Sequence, residues 1–235
     1  MKLAIIPARG GSKRIPRKNI KLFNGKPMIA WSIEAAIESK CFDRIIVSTD
    51  DKEIAEVAIK YGADVPFMRP ASLSDDHTAT IPVIKHAINW QIENGLVPEY
   101  VCCIYATAPF IQSKDILKGL EVLETSQCDY AFSATSYPYP IQRALCKNSS
   151  GQLQMCNEKY FTTRSQDLVD TYHDAGQFYW GQTTAWQEEK MLFGPNSELV
   201  LLPRHLVQDI DTAEDWKQAE LLFKFLVTTA NRQVE

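Results

Sequence analysis

Short apolar segments alternate with amphipathic helical segments along most of the chain, and this alternation constrains the fold more than any other feature. Strands are predicted at residues 2–6, 44–48, 63–67, 100–105, 130–135, 177–181 and 199–203, and helices near 27–39, 51–60, 78–94, 113–124 and 212–226. Continuously apolar strands joined by helices are typical of parallel sheets that are covered on both faces. The pattern therefore predicts an α/β fold with three layers, in which a mostly parallel sheet lies between two layers of helices.

The alternation is interrupted between residues 136 and 175. Pro138 and Pro140 open this stretch, the segment 148–151 reads NSSG, and QLQM at 152–155 alternates as a hairpin strand does. We interpret residues 136–175 as an inserted hairpin that forms an extension or a dimer contact. The chain as a whole, residues 1–235, is expected to be a single domain carrying this insertion.

The composition excludes several classes of protein. A chain of 235 residues with 45% hydrophobic and 23% charged side chains is not disordered or low in complexity. It contains no apolar run near the roughly 20 residues of a membrane-spanning helix and no signal-peptide core, so neither membrane association nor export is expected. Six cysteines without a CxxC pair favour reduced, packed thiols and a cytoplasmic location. In YVCCIY, Cys102 and Cys103 should face opposite sides of a strand.

The charge is unevenly distributed. The net charge is −4, yet residues 1–33 carry eight basic side chains and no acidic one. A concentrated cationic segment in an acidic protein favours a local anion site over a surface that coats nucleic acid. Since no nucleic-acid-binding motif accompanies the cluster, we expect no nucleic-acid partner.

The basic residues lie mainly in the loop that follows the first predicted strand, IIPARGGSKRIPRKN at 5–19. Gly10 and Gly11 permit a tight turn with exposed amides, and Arg9, Lys13 and Lys18 can converge on a polyphosphate. The loop is neither a P-loop nor a GxGxxG loop. A merely solvated cationic loop is the alternative, but the carboxyl end of a strand is where open α/β sheets bind ligands.

Two carboxylates, Asp209 and Asp211, stand immediately before the last predicted helix. At positions i and i+2 of an extended chain they point the same way, as a divalent-ion site requires. Alternatively, Asp211 only favours the positive helix end while Asp209 is solvated. Thr212 and Asp215 form a capping-box signature at the same place. Together with a phosphate-binding loop, the pair predicts a Mg²⁺–nucleotide site.

The loop sequence ARGGSKRIPRKN resembles the opening signature of the sugar-acid cytidylyltransferases, which make CMP-activated nonulosonic acids. The resemblance continues through CFDRIIVSTDD (41–51), RPASLSDDHTAT (69–80), ATAP (106–109) and DIDT (209–212), and so covers nearly the whole chain. YATAPF (105–110) and YHDAGQFYWG (172–181) resemble the pseudaminic acid branch, because sialic acid enzymes typically show QPTSPLR and RPNG there. The fold implied is a Rossmann-like nucleotide-diphospho-sugar transferase fold.

The resemblance implies a function for individual residues and for the whole chain. The chain would join a nonulosonic acid, most closely pseudaminic acid, to CMP from CTP and release pyrophosphate, with Mg²⁺ as cofactor and as a homodimer. Arg9, Lys13, Lys18 and Asp211 would be catalytic. The residues that would contact the nucleotide are Arg9, Gly10, Ser12, Lys13, Lys18, Asn19, Arg69 and Thr80. The metal would be bound by Asp209 and Asp211. The residues that would contact the sugar are Tyr105, Thr107, Arg164, His173, Asp174, Gln177 and Tyr179. Phe178 and Trp180 are expected to be buried strand residues instead.

Other functions fit parts of the sequence. Within the family, the sugar could be sialic acid, legionaminic acid or Kdo. A nucleotide-sugar glycosyltransferase also uses a DxD pair on an α/β fold, although its DxD usually lies mid-chain and the basic loop would have no role. A non-catalytic module that binds anions or nucleic acid would leave the carboxylate pair without a role. No nucleophile motif of serine or cysteine supports covalent catalysis.

Overall fold

The computed structural model describes residues 1–232 and arranges them around one central sheet. In chain order the helices and strands are β1 (Lys2–Pro7), β2 (Leu22–Phe23), β3 (Lys26–Pro27), α1 (Met28–Ser39), β4 (Arg44–Ser48), α2 (Lys52–Lys60), α3 (Thr80–Glu93), β5 (Tyr100–Ile104), α4 (Ser113–Ser126), β6 (Tyr130–Ser136), β7 (Leu145–Lys147), β8 (Leu153–Met155), β9 (Tyr172–Gln182), α5 (Thr183–Gln187), β10 (Ser197–Leu201) and α6 (Ala213–Arg232).

The central sheet has six strands in the order β10-β6-β9-β5-β1-β4. β1 pairs in parallel with β4 and with β5, and β10 pairs in parallel with β6. β9 is antiparallel to both of its neighbours, β5 and β6, so it alone runs against the other strands of this sheet. The prediction of a mostly parallel sheet is confirmed.

Helices cover both faces of the sheet because alternate strand residues point to opposite sides. On one face Ala4 and Ile6 of β1 pack with α1, α2 and α4; on the other, Leu3 and Ile5 pack with α3 and α5. All four side chains are fully buried. Cys102 and Cys103 of β5 divide in the same way, as the sequence predicts. The strands therefore read as apolar runs because neither face meets water.

The last helix forms a third apolar cluster near the start of the chain. Trp216 of α6 packs edge-on against Phe23, with 5.5 Å between the ring centroids, and Phe23 also contacts Phe110. Ile15, from the basic loop, is buried in this cluster. Packing of α6 thus fixes one side of the loop that follows β1. The helix extends past the predicted end near residue 226, to Arg232.

Two predictions about strands differ in outcome. The predicted strand at 63–67 is wrong: this stretch lies beside β4 but makes only isolated bridges, from Asp64 to Ile46 and from Met68 to Thr49. Pro66 has no N–H group, so it cannot donate to a continuous ladder. The hairpin predicted within 136–175 is present, as β7 paired with β8. No helix within residues 1–232 is both long and apolar enough to cross a membrane.

Candidate active site

The basic loop is anchored to the chain that follows β4. The Ala8 amide donates to the Ser48 carbonyl at 2.9 Å, and the Gly10 amide donates to Asp50 Oδ1 at 2.9 Å. A Cβ atom at Gly10 would lie 2.8 Å from Asp51 Oδ2, closer than real contacts allow. A side chain at position 10 would therefore force Asp51 to shift. This glycine is favoured because a neighbouring chain approaches its backbone, rather than because it offers a free amide to a ligand.

Asp51, the residue that follows the anchoring Asp50, is itself held in place. Asp51 caps α2 by accepting the Ile54 amide at 3.0 Å, and it forms a two-point ion pair with Arg17. The hydrogen bond from Arg17 lowers the pKa of Asp51. Arg17 has a positive φ of 55°, so the pairing also stabilises a left-handed turn of the loop. Helix cap, ion pair and loop conformation thus support one another.

A pocket of about 520 Å³ opens at the carboxyl end of the parallel strands. Its walls come from the basic loop, from the segment before α3, from the chain after β5, and from the residues preceding α6. It brings together most of the residues predicted for the site: Arg9, Ser12, Lys13, Lys18, Asn19, Arg69, Thr80, Tyr105, Thr107 and Asp211. A pocket at this edge is where the topology of an open α/β sheet places a ligand.

Four cations of the loop are paired with two carboxylates in the pocket wall. Arg14 lies 2.8 Å and Lys18 Nζ 3.4 Å from the carboxylate oxygens of Asp211. Arg9 Nη1 lies 2.6 Å from Asp76 Oδ1, and Lys13 pairs with Asp76 Oδ2. The predicted convergence of basic side chains on one pocket is present. The structure adds that two acidic groups share this space.

Arg69 is the most deeply buried charge in the pocket wall. Its side chain is 4% exposed, and Nε and Nη2 have no hydrogen-bond partner among residues 1–228, whose side chains the structure describes. The nearest carboxylate, Asp50, is 3.8 Å from Nη2. Burial lowers the pKa of Arg69. Buried Nε and Nη2 groups without a hydrogen-bond partner are costly, so an anionic or polar ligand that reached them would be favoured.

The predicted capping box at the start of α6 is confirmed. The Thr212 amide donates to Asp215 Oδ2 at 2.7 Å, and the Asp215 amide donates to Thr212 Oγ1 at 3.2 Å. Since Thr212 and Asp215 satisfy the helix end, the carboxylates of Asp209 and Asp211 are not needed for capping. Partial burial raises the pKa of Asp209, and the nearby Asp211 adds to this effect. No group of three or more histidine, cysteine or acidic residues suited to a metal occurs within the described chain.

Residues predicted to contact the sugar fall into two groups. Tyr105 and Thr107 line the pocket, and the Tyr105 hydroxyl lies 3.1 Å from Thr80 Oγ1. The others are absent from the pocket lining: Arg164, His173, Asp174, Gln177 and Tyr179. Arg164 is exposed and pairs with Asp167 at 2.7 Å in the inserted segment. Gly10 and Asp209, from the other predicted sets, also lie outside the lining.

All four of these outlying residues on β9 already have partners within the chain; His173 Nδ1 lies 2.9 Å from the Asp174 carbonyl oxygen. Tyr179 is 1% exposed, and its hydroxyl donates to Asp174 Oδ2 at 2.6 Å. Gln177, also buried, donates from Nε2 to the Leu206 carbonyl at 2.6 Å. The Tyr105 and Tyr179 rings lie 5.1 Å apart, so β9 supports the pocket wall from behind. As predicted, Phe178 and Trp180 are fully buried strand residues.

Several residues of the pocket were not among the predicted ligands. Arg14 belongs to the basic loop, and its charge was the signal that could have identified it. Asp76 and Thr78 line the pocket and lie in the segment 69–80, which resembles the family. The resemblance assigns no role to either residue. Val83 and Ala106 carry no chemical signal in the sequence; only the fold places them in the wall.

Comparison with known proteins identifies the family. The cytidylyltransferase family model matches residues 3–215. The chain belongs to the cytidylyltransferase family. It is 51% identical over 223 residues to a pseudaminic acid cytidylyltransferase of Campylobacter jejuni, covering 94% of this chain and 96% of the relative. It is 31% identical to a CMP-N,N'-diacetyllegionaminic acid synthase of Legionella pneumophila, covering 94% of each. The chain is thus a nucleotidyltransferase, and the glycosyltransferase and non-catalytic alternatives are not supported.

Structural comparison supports the fold of this cytidylyltransferase. A CMP:2-keto-3-deoxy-manno-octonic acid synthetase, solved in complex with CTP, superposes with a TM-score of 0.68 over 95% of this chain and 98% of that one. The two sequences are only 16% identical, so the similarity concerns the architecture alone. It confirms the predicted α/β nucleotidyltransferase fold.

Proposed function

We propose that this cytidylyltransferase transfers CMP from CTP to pseudaminic acid and releases pyrophosphate. The observation that carries the proposal is the 51% identity, over almost the full length of both chains, to a pseudaminic acid cytidylyltransferase. The pocket supports it independently, because it is rich in cations and stands at the carboxyl edge of the sheet. The nucleotide of this reaction is an intracellular metabolite, so we place the reaction in the cytoplasm.

In this proposal the basic loop binds the triphosphate. Arg9 can chelate two phosphate oxygens, whereas Lys13 and Lys18 act as compact charges. Ser12 and Asn19 line the same wall, and Asn19 also donates to the Arg9 carbonyl at 2.9 Å, which fixes the start of the loop. Gly10 acts through the shape of the loop.

Arg69 and Thr80 are assigned to the nucleotide as well. Arg69 lines the pocket, and an anionic or carbonyl oxygen of the nucleotide would satisfy its unpaired Nε and Nη2 donors. Thr80 begins α3 and is bonded to Tyr105, so it lies between the proposed nucleotide and sugar sides of the pocket. In this proposal the hydroxyls of Thr80 and Tyr105 lie near the junction of the two substrates.

Asp209 and Asp211 are the proposed magnesium ligands. Their oxygen donors suit this hard cation, and Mg²⁺ is commonly held by one or two carboxylates together with substrate phosphates. Asp211 lies in the pocket wall, paired with Arg14 and Lys18, and the capping box uses neither the Asp211 nor the Asp209 carboxylate. When bound, the cation would neutralise charge on the phosphates and polarise them towards attack. The residues present therefore fit the metal.

The chemistry demands little covalent work from the protein. The anomeric hydroxyl of the sugar acid attacks the α-phosphorus of CTP, and pyrophosphate leaves with its electron pair. Positioning of the two reactants and neutralisation of developing charge carry most of the acceleration in such transfers. The sugar carboxylate repels the triphosphate, which gives a physical reason for Arg9, Lys13, Lys18 and Arg14 in one pocket. We assign no side chain as the general base.

We place the sugar acid against Tyr105 and Thr107, with β9 behind them. Tyr179 and Gln177 are buried and already bonded, so they would act mainly by shaping this wall. His173 and Asp174, at the start of β9, are less buried, but both Asp174 carboxylate oxygens already accept hydrogen bonds and His173 Nδ1 lies 2.9 Å from the Asp174 carbonyl oxygen. A sugar hydroxyl would have to share or replace these contacts. An aromatic wall suits pseudaminic acid, which ends in a methyl group where sialic acid carries a hydroxymethyl.

Arg164 would contribute through a homodimer formed by residues 136–175. Its place in the inserted segment, outside the pocket of its own chain, supports this assignment. The segment also exposes large apolar side chains that a partner copy would bury: Tyr139, Leu145, Leu153, Phe161 and Val169. Sedimentation of the wild type and of Leu153→Asp tests the dimer, and a monomeric wild type would contradict it.

The decisive experiment is a pyrophosphate-release assay with CTP and four sugar acids: pseudaminic, sialic and legionaminic acid, and Kdo. We expect the highest kcat/KM with pseudaminic acid. Sialic acid should be roughly 10–100-fold poorer, since apolar pockets reject an added hydroxyl only modestly. Equal or better turnover of sialic acid would refute the choice of sugar. Equal turnover with ATP, GTP and UTP, or none with any sugar acid, would refute the proposed function.

A further inference from the structure

An internal carboxylate occupies the cationic wall of the pocket. Asp76 accepts from Arg9 Nη1 at 2.6 Å through Oδ1 and pairs with Lys13 through Oδ2. These bonds, first that from Lys13 and then that from Arg9, lower the pKa of Asp76, so the group is ionised at neutral pH. Both cations are assigned to the triphosphate in the proposed function. Asp76 therefore contacts the same donors that a phosphate would use.

The turn that carries this carboxylate is well defined. Asp75 Oδ1 accepts from the His77 amide at 2.9 Å, from the Thr78 amide at 2.7 Å and from the Thr78 hydroxyl at 2.7 Å. Arg9 Nη1 also donates to the Asp75 carbonyl, at 2.8 Å. Asp75 thus builds the turn, and Asp76 projects from it into the pocket wall. The neighbouring acidic residues have different roles.

We propose that Asp76 is a displaceable counter-ion of the polyphosphate subsite, an inference that rests on the proposed function. A carboxylate and a phosphate present the same kind of acceptor oxygen to an arginine or a lysine. Both cannot occupy the donors of Arg9 and Lys13 at once without bringing like charges together. The ligand must therefore replace Asp76, and Asp76 returns to the two cations when pyrophosphate leaves.

This exchange has two consequences for the reaction. Before binding, Asp76 holds the charged ends of Arg9 and Lys13 at the pocket wall, although the Lys13 side chain remains 82% exposed, so that less ordering is needed when CTP arrives. After the reaction, the same carboxylate competes with pyrophosphate and weakens its hold on the site. Asp76 is therefore a positioning residue that tunes anion affinity, and it does not touch the reacting atoms.

The test measures binding of inorganic pyrophosphate by calorimetry at fixed Mg²⁺, without CTP or sugar. Four proteins are compared: the wild type, Asp76→Asn, Asp76→Glu and Glu53→Gln. Asp76→Asn removes the competing charge and should bind pyrophosphate about three- to tenfold more tightly, because two solvent-exposed ion pairs, each contributing up to about fivefold, no longer compete. Asp76→Glu keeps the charge. Glu53→Gln removes an equal charge that pairs with Arg17 outside the pocket lining. Both controls should stay within about twofold of wild type.

Kinetics supply the second measurement. In Asp76→Asn the KM for CTP should fall and product inhibition by pyrophosphate should strengthen, with Asp76→Glu close to wild type in both. Unchanged or weaker pyrophosphate binding in Asp76→Asn would overturn the proposal, as would equal tightening in Glu53→Gln, which would indicate a general charge effect. Undetectable binding to every protein would overturn the anion subsite itself. A wild type that binds pyrophosphate but turns over no sugar acid would instead refute the proposed function.

Discussion

Replacement of Asp211 by asparagine removes one carboxylate from the pocket while leaving the start of α6 intact. The Asp211 side chain pairs with Arg14 at 2.8 Å and with Lys18 at 3.4 Å. The cap of the helix is made by Thr212 and Asp215, and Asp211 contributes to it only through its backbone amide, which donates to Asp215 Oδ2 at 3.1 Å. Folding should therefore survive, and the effect should fall on catalysis.

The expected loss is roughly 10²-fold or more in kcat. Removal of one preorganised group that stabilises developing charge typically costs 10²- to 10³-fold, about 3–4 kcal/mol at 1.4 kcal/mol per decade. Two effects add in this pocket. The proposed metal loses an anionic ligand, and Lys18, whose side chain is only 15% exposed, loses its carboxylate partner. Asparagine keeps one oxygen acceptor, so binding of the cation should weaken rather than vanish.

The assay is pyrophosphate release at saturating CTP and sugar acid over a range of Mg²⁺ concentrations. Asp211→Asn should show both a lower plateau and a higher half-saturating Mg²⁺ concentration than wild type. Asp64→Asn is the matched control, because Asp64 pairs with Arg44 at the opposite edge of the sheet and is exposed. If Asp211→Asn keeps more than about half of the wild-type activity at saturating Mg²⁺, the metal assignment is wrong.

Further predictions concern the sheet, the sugar wall and the helix cap. Gly119→Ala should lower the Tm by several degrees in a thermal melt, because its Cβ would lie 2.7 Å from the Trp180 ring and overpacking costs about 1–3 kcal/mol. Tyr179→Phe leaves Asp174 Oδ2 without its hydroxyl donor, so steady-state kinetics should show a higher KM for the sugar acid and an unchanged KM for CTP. Asp51→Asn should unfold at lower urea concentration than wild type at pH 7, and this difference should shrink as the pH is lowered below about 3.9. The Asp51 pKa is lowered on folding, so its contribution exists above the unfolded-state pKa of about 3.9 and disappears as pH falls through the folded value.

Most helices and strands could be predicted because burial on both faces makes each strand an apolar run. The pattern does not encode strand direction, however, so nothing in QFYWG predicts that β9 is antiparallel to β5 and β6. Nor did the pattern show that β9 begins at Tyr172, since the first residues of the strand are polar and partly exposed. For residues 63–67 the apolar pattern predicts a strand, but the segment makes only isolated bridges beside β4.

The sequence predicts those site residues that lie close together in one loop, but not those that only the fold brings together. Arg9, Lys13 and Lys18 share one loop after one strand, so their convergence follows from the motif. The position of Asp76 in the pocket could not be predicted, because its partner Arg9 is 67 residues away in the sequence. The reason for Gly10 was also beyond the sequence, since the neighbour that a Cβ atom would displace is Asp51 on another loop.

The opposite orientations of Cys102 and Cys103 give the molecule two built-in reporters of local opening. Both thiols are fully buried, and burial raises the pKa of each, so a thiol reagent can attack only when the covering helices move away. Cys102 faces the layer of α1 and α4, and Cys103 faces the layer of α3 and α5. The rate at which each thiol is modified would therefore report how often the helical layer that covers it opens. Two adjacent residues of one strand would thus report on the two layers separately.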